Sequence, residues 1–301
     1  MATILIMGAG AVGGFYGSRL AEAGHDVNLV ARGEHLRALQ NDGLRVDSVF
    51  GNFHQKLPSS SDPTAFEPHP DYIFFAVKSF DTADTIDQIR PIVGPETQIL
   101  ALQNGIENYD LLVEAFGKSR VIRAYCRVNS EMIGPGHIKQ VKFGQIVFNE
   151  DNGNRSARIT KLDEMLAKAD IDHVIPDDIR RAVWIKFTWN SVHNVLTGLL
   201  QKTIVELYKD DAMIELMQRM TQEILSVAHA EGIDLRKTDV AEVVEEGMKL
   251  GAFRTSTYQD RVKGKKLEYD AFTGALVRVG KRHGVSVPVY ETLDALYRGL
   301  E

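Results

Sequence analysis

Three features of the 301-residue chain predict an α/β domain with a mainly parallel sheet followed by an all-α domain. Apolar runs at 4–7, 27–31, 72–77 and 98–102 alternate with helical patterns, as successive βαβ units with buried strands would. A glycine-rich turn joins the first run to the first helix. Beyond Pro176 the texture changes, and the helical period dominates to Leu300. The length exceeds what one core sustains, so two domains are expected, 1–176 and 177–301.

The first element, "ILIMGAGAVGG", is a strand that turns through Gly8, Gly10 and Gly13 into a helix ending near Gly24. In that context the spacing is the dinucleotide-binding signature of a Rossmann domain. Gly8 permits the tight turn, Gly10 lets a pyrophosphate approach the backbone, and Gly13 lets helix and strand pack closely. A ligand-free glycine turn is the alternative. The second strand ends at Ala31 and Arg32 rather than at the Asp or Glu that an NAD ribose requires, and an arginine suits a 2′-phosphate. NADP is therefore the expected cofactor, with Arg32 as an ordinary surface charge the alternative.

The Ser- and Pro-rich segment 57–70 reads as a surface loop. Lys78 follows the strand "YIFFAV" and Asn104 follows "ILALQ", both at the sheet end where ligands of open α/β sheets collect. Either also fits a plainer role, Lys78 as a strand-end charge and Asn104–Gly105 as a turn. The runs 121–128, 137–141 and 145–148 extend the sheet with less regular strands around "IGPGH". Pro176, Asp177 and Asp178 then mark a helix start.

In "VWIKFTWNSVHNVLTG", Lys186, Asn190 and Asn194 recur every four residues. At about 100° per residue they share one third of the circumference with His193 and Thr197. Trp184, Ile185, Val192, Val195, Leu196 and Leu199 take the other arc. A solvent face is usually written with Glu, Lys and Arg, whereas asparagine is a poor helix-interior residue. The column is either the wet side of an amphipathic helix or the lining of a site.

The balance of 35 basic and 41 acidic residues argues against a polyanion-binding surface, so no nucleic-acid partner is expected. "RVKGKK", residues 261–266, reads as a solvated turn. Cys126 is the only cysteine, which excludes an intrachain disulfide and a cysteine metal site and fits a reducing compartment. It reads as a small buried residue, and no metal is expected. The sequence lacks a signal-peptide pattern and an apolar run of membrane-spanning length, so a soluble, cytoplasmic protein is expected.

Taken in order, "GAGAVG", "AVKSFD", "QNGIEN", "WIKFTWNSVHNVLTG", "RTSTYQD" and "LEYDAFTGALVRVGKRHGVSVP" resemble the ketopantoate reductase (2-dehydropantoate 2-reductase) family over nearly the whole chain. The resemblance implies NADPH-dependent reduction of 2-dehydropantoate to pantoate, a step of pantothenate and coenzyme A biosynthesis. It assigns Lys186 as the catalytic lysine and Glu268 as the acid that cooperates with it, with Asp270 as the neighbour to be distinguished. Asn104, Asn190, Asn194 and Ser256 match substrate contacts; Arg32, Lys78 and Asn104 match the cofactor side. Where some members carry a further asparagine this chain has Ile204, which bears on the fit of the substrate hydroxyl.

On this reading the polar column faces a cleft, and Lys186 stabilises and then protonates the oxygen on which hydride arrival builds charge. His193, about 10 Å further along the helix, is the rival acid. A small-molecule 2-oxoacid is the expected partner, with no membrane partner and a homodimer left open. Two alternatives stand: a reductase of another branched 2-oxoacid, and an NADP-binding redox sensor without turnover. The joint presence of Lys186, Asn190, Asn194 and Glu268 favours catalysis.

Overall fold

The computed structural model describes residues 1–249 and 253–300, and the chain divides into two compact units. The first comprises 1–103 and 108–179; the second comprises 104–107 and 180–301. The chain thus changes unit near 179, and the short segment 104–107 goes with the helical unit although both its neighbours belong to the sheet unit.

The first unit runs β1 (Thr3–Met7), α1 (Ala11–Glu22), β2 (Asp26–Val30), α2 (Gly33–Asn41), β3 (Leu44–Ser48), β4 (Phe53–Gln55), β5 (Ser59–Ser60), β6 (Tyr72–Phe75), α3 (Thr82–Ile89), β7 (Gln98–Ala101), α4 (Asn108–Phe116), β8 (Val121–Gly134), β9 (His137–Asn149), α5 (Ala157–Lys168) and β10 (His173–Val174). One sheet has the order β4-β3-β9-β8-β7-β6-β1-β2-β5, with β10 beside β9. Among the described residues only the β3–β4 and β8–β9 pairings are antiparallel. The α/β fold with a mainly parallel sheet is as expected.

Strand alternation divides the core between two faces. Ile4 and Ile6 pack with Phe15 and Leu20 of α1, whereas Leu5 and Met7 pack with Ile86 and Ile89 of α3 and Leu112 of α4. Each such side chain is almost wholly buried, a gain of about 1.5–3 kcal/mol apiece before entropy is counted.

Two sequence expectations are corrected. The three irregular runs after 120 are two long strands in one hairpin, with register breaks at Arg127/Val128, Asn129/Ser130 and Met132/Gly134. Phe143 and Gly144 at positive φ interrupt the alternation and split the apparent run. The 57–70 segment is not all loop: β5 adds to β2, and Asp62 accepts a hydrogen bond from Thr64 N–H to begin a short 3-10 turn.

The second unit is helical, with no strand among its described residues. It runs α6 (Ile179–Trp189), a π-helical turn (Asn190–Asn194), α7 (Val195–Leu200), α8 (Ile204–Leu207), α9 (Asp211–Ala230), α10 (Lys237–Lys249), α11 (Ser256–Val262), α12 (Thr273–His283) and α13 (Pro288–Arg298). Glu223 of α9 accepts hydrogen bonds from the N–H groups of Val289 and Tyr290, two otherwise orphan donors at the start of α13. Arg181 of α6 and Arg236 both bind the buried Asp239. The basic run 261–266 begins inside α11, with Arg261 part-buried; only from Val262 onward is it exposed, and it turns at 263–264.

Candidate active site

In the first unit, Gly8 has φ +96°, and a Cβ there would lie 2.9 Å from the Val77 backbone nitrogen. A Cβ at Gly13 would lie 2.2 Å from the Gly8 carbonyl oxygen, so helix and turn can close only on glycine. Gly10 differs, because a Cβ there would meet nothing within 4 Å. It stands at the start of α1, which has no side-chain cap and no acid in its first turn. That open space against uncapped N–H groups fits a phosphate. Arg32 extends from the end of β2, with its side chain 55% exposed, and the exposed Lys78 follows β6. Because β1 pairs with β2 on one side and β6 on the other, these residues stand at the carboxyl ends of three adjacent parallel strands.

In the second unit the polar column is not a wet helix face. Asn190 and Asn194 are each 3% exposed, and His193 and Thr197 are at 0%. The helix is buried nearly all round, which makes it the centre of this unit rather than an amphipathic surface helix. Nor is its period regular. Asn190–Asn194 form a π-turn, so the assumed 100° step fails where the asparagines lie.

A π-turn loosens the backbone ladder, and side chains meet carbonyls in it and on either side of it. Trp189 O faces His193 Nδ1 at 3.0 Å, Thr197 Oγ1 donates to His193 O at 2.7 Å, and Tyr297 Oη donates to Val195 O. Gly198 then lets α11 approach, since a Cβ there would lie 2.5 Å from Thr257 Cγ2. Thr255 lies 2.7 Å from Thr197 and accepts from Tyr258 N–H as the cap of α11. The result sets the exposed Ser256 against the buried Asn194, whose Nδ2 donates to Ser256 Oγ at 3.3 Å. Asn194 Oδ1 is buried and has no hydrogen-bond partner among the described residues.

The structure joins some sequence-selected residues in pairs. Asn190 Nδ2 donates to Asn104 Oδ1 at 3.0 Å, and Asn194 meets Ser256 as above. Lys186 is half-buried, with Nζ 5.1 Å from the centre of the Trp189 ring, a cation–π contact. Glu268 is 8% exposed and stands immediately before the 3-10 turn Tyr269–Ala271. It is therefore not the ordinary helix charge its sequence context suggests. Asp270 is exposed and pairs with Arg278, which separates it from Glu268. Ile204 is fully buried as the first residue of α8.

His193, the rival acid, is occupied at both nitrogens, by Trp189 O and by Tyr208 Oη at 2.8 Å. Burial pushes its pKa down to about 4; the Trp189 carbonyl acts the other way, and the nearby Lys186 charge adds to the lowering. It has the character of a core histidine. Thr255 and Thr257, on either side of Ser256, are both buried.

Two family models match the chain: "Ketopantoate reductase PanE/ApbA" over residues 4–153 and "Ketopantoate reductase PanE/ApbA C terminal" over 178–301. The chain belongs to the ketopantoate reductase family. It is similar to a 2-dehydropantoate 2-reductase of Mesorhizobium japonicum, at 28% identity over 99% of this chain and 97% of the relative. A crystal structure of a PanE/ApbA family ketopantoate reductase from Ralstonia eutropha JMP134 matches with TM-score 0.91 and 33% identity, covering 98% of this chain and 97% of that one. A ternary structure of D-mandelate dehydrogenase with NADH and anilino(oxo)acetate matches at 0.90 and 26%, with 98% and 97% covered.

Within this oxidoreductase of the ketopantoate reductase family, several supporting residues escaped the sequence reading. Tyr208 and Gly247 enclose His193, and a Cβ at Gly247 would lie 2.4 Å from His193 Nε2. Arg278 binds both Glu107 and Asp270, with Nη2 2.6 Å from Glu107 Oε2. Burial would lower the Arg278 pKa, but these two carboxylates outweigh it and raise it above the ordinary value. Glu107 lies in the 104–107 segment, so Arg278 steadies the loop that carries Asn104. The "QNGIEN" motif marks that loop, but nothing in sequence pairs it with an arginine 171 residues away.

Proposed function

We propose that the protein is an NADPH-dependent 2-oxoacid reductase whose substrate is 2-dehydropantoate. The observation that carries the substrate reading is Asn194 Oδ1, a buried acceptor without a partner among the described residues, on the same helical stretch as Asn190 and Lys186. An unsatisfied buried acceptor costs about 1–3 kcal/mol. A substrate hydroxyl would repay that, and the hydroxyl of 2-dehydropantoate is such a donor. Ser256, opposite Asn194, supplies a second polar contact.

Gly8, Gly10 and Gly13 with the start of α1 would hold the pyrophosphate, and Arg32 and Lys78 the phosphate at the adenosine ribose. When bound, the reduced nicotinamide supplies a hydride. Lys186 hydrogen-bonds the substrate oxygen, stabilises the charge that develops there and delivers the proton. The Trp189 ring lies against its ammonium group. Asn104 and Asn190, tied to each other, orient the oxoacid. Glu268, buried beside the 3-10 turn, cooperates with Lys186 as its counter-acid.

A second reading has support of its own: the D-mandelate dehydrogenase match and the apolar Ile204 both favour a relative acting on a less polar 2-oxoacid. Turnover of NADPH by pure protein across a panel of 2-oxoacids tests the proposal. Reduction centred on 2-dehydropantoate supports it. Turnover with none of the panel would refute it in favour of a nucleotide sensor.

A further inference from the structure

The sheet edge that carries Arg32 also carries an acid that the glycine motif does not require. Arg32 Nη1 lies 3.8 Å from Asp81 Oδ2. Asp81 closes the 3-10 turn Ser79–Asp81 after β6, and β6 and β2 flank β1, so the two side chains meet at the carboxyl end of β1. Asp81 precedes α3, yet its side chain makes no capping hydrogen bond there. Both side chains are accessible, 55% for Arg32 and 35% for Asp81.

We propose that Asp81 is a specificity-determining residue for the nucleotide: it narrows the preference for NADPH that Arg32 creates, so that NADH is also accepted. The proposal rests on reading this edge as the nucleotide site. A 2′-phosphate on the guanidinium would bring two like charges within about 9 Å, allowing about 2.8 Å for the phosphate–arginine hydrogen bond. It would also compete with Asp81 for the same cation. A ribose diol carries no such penalty, and its hydroxyl can donate to the carboxylate, the arrangement by which acidic residues at this edge select NAD. Because the pair is accessible to solvent, the repulsion is screened, and an effect of about two- to fivefold in affinity is expected at low salt.

Calorimetric titration of the full-length protein with NADPH and NADH tests this, using wild type, Asp81→Asn, Asp81→Lys and Arg32→Ala. Asp81 caps nothing, so its variants are expected to fold. Wild type should bind both nucleotides. Asp81→Asn should tighten NADPH by about two- to fivefold and leave NADH unchanged or weaker, and Asp81→Lys should go further, to about tenfold; both gains should shrink in high salt. Arg32→Ala should bring the two affinities together. If Asp81→Asn changes both nucleotides equally, or neither, the proposal is overturned. If wild type binds neither nucleotide, the site reading fails and takes the proposal with it.

Discussion

Acid should unravel the helical unit through one residue, His193. The imidazole is at 0% exposure with both nitrogens engaged, and burial holds its folded pKa at about 4 against an ordinary 6.5. A histidine lowered on folding is neutral in the folded state and protonates first in the unfolded one. Its linkage therefore favours folding fully only above about 6.5, and that contribution is lost as the pH falls from there through about 4. At about 1.36 kcal/mol per pKa unit the whole window is worth about 3 kcal/mol, of which about 2 is lost by pH 5. Trp184 and Trp189, the only two tryptophans, both lie on α6, so tryptophan fluorescence follows this unit and not the histidines of the sheet unit. Urea melts at pH 7.5 and pH 5 should show wild type losing about 2 kcal/mol more than His193→Gln, whose amide can meet the same two partners without taking up a proton. Asp239, where burial opposes and Arg181 and Arg236 prevail to hold the pKa at about 2, does not titrate in that range. Equal losses in wild type and variant would refute the assignment of His193 as a buried neutral group.

Three further outcomes are expected. Lys186→Ala should lower kcat by about 10² to 10⁴, the span of a positioned acid, with nucleotide affinity unchanged, while His193→Gln costs less; the opposite ranking in steady-state kinetics would make His193 the proton donor. Gly198→Ala sets a methyl 2.5 Å from Thr257 Cγ2, which should cost about 1–3 kcal/mol in a thermal melt and raise KM for the oxoacid as α11 carries Ser256 away; an unchanged KM would show that this approach does not set the site. Arg278→Ala should raise KM by freeing the Asn104 loop, and the effect should disappear in an Asn190→Ala background. An additive double-mutant cycle would contradict that coupling.

The sequence disclosed most where period and motif coincide. β1, the glycine turn and α1 are readable because Gly8 and Gly13 are sterically obligatory and the flanking strand is apolar from Ile4 to Met7. The Lys186–Asn190–Asn194 column was visible as an oddity of composition, but its burial was not, because a helix on its own does not reveal what packs against it. The π-turn was hidden as well, since carbonyls in it and beside it meet side chains as distant as Tyr297, which donates to Val195 O just after it. Short strands such as β5 escape because two residues carry no period. The pairing of Arg32 with Asp81 joins the ends of two non-consecutive strands and becomes visible only with the sheet order.

The central claim is that the buried acceptor on Asn194 reads a substrate hydroxyl. The most direct test is the ratio of kcat/KM for ketopantoate (2-dehydropantoate) to that for 2-oxoisovalerate, which keeps the branch and carboxylate and lacks the hydroxyl, in wild type and in Asn194→Ala. A site built to bond a hydroxyl can discriminate by up to about 10⁴-fold. The account predicts a large ratio in wild type that collapses in Asn194→Ala mainly through slower ketopantoate reduction. Equal efficiency on the two oxoacids in wild type would contradict it and assign the enzyme to a different 2-oxoacid.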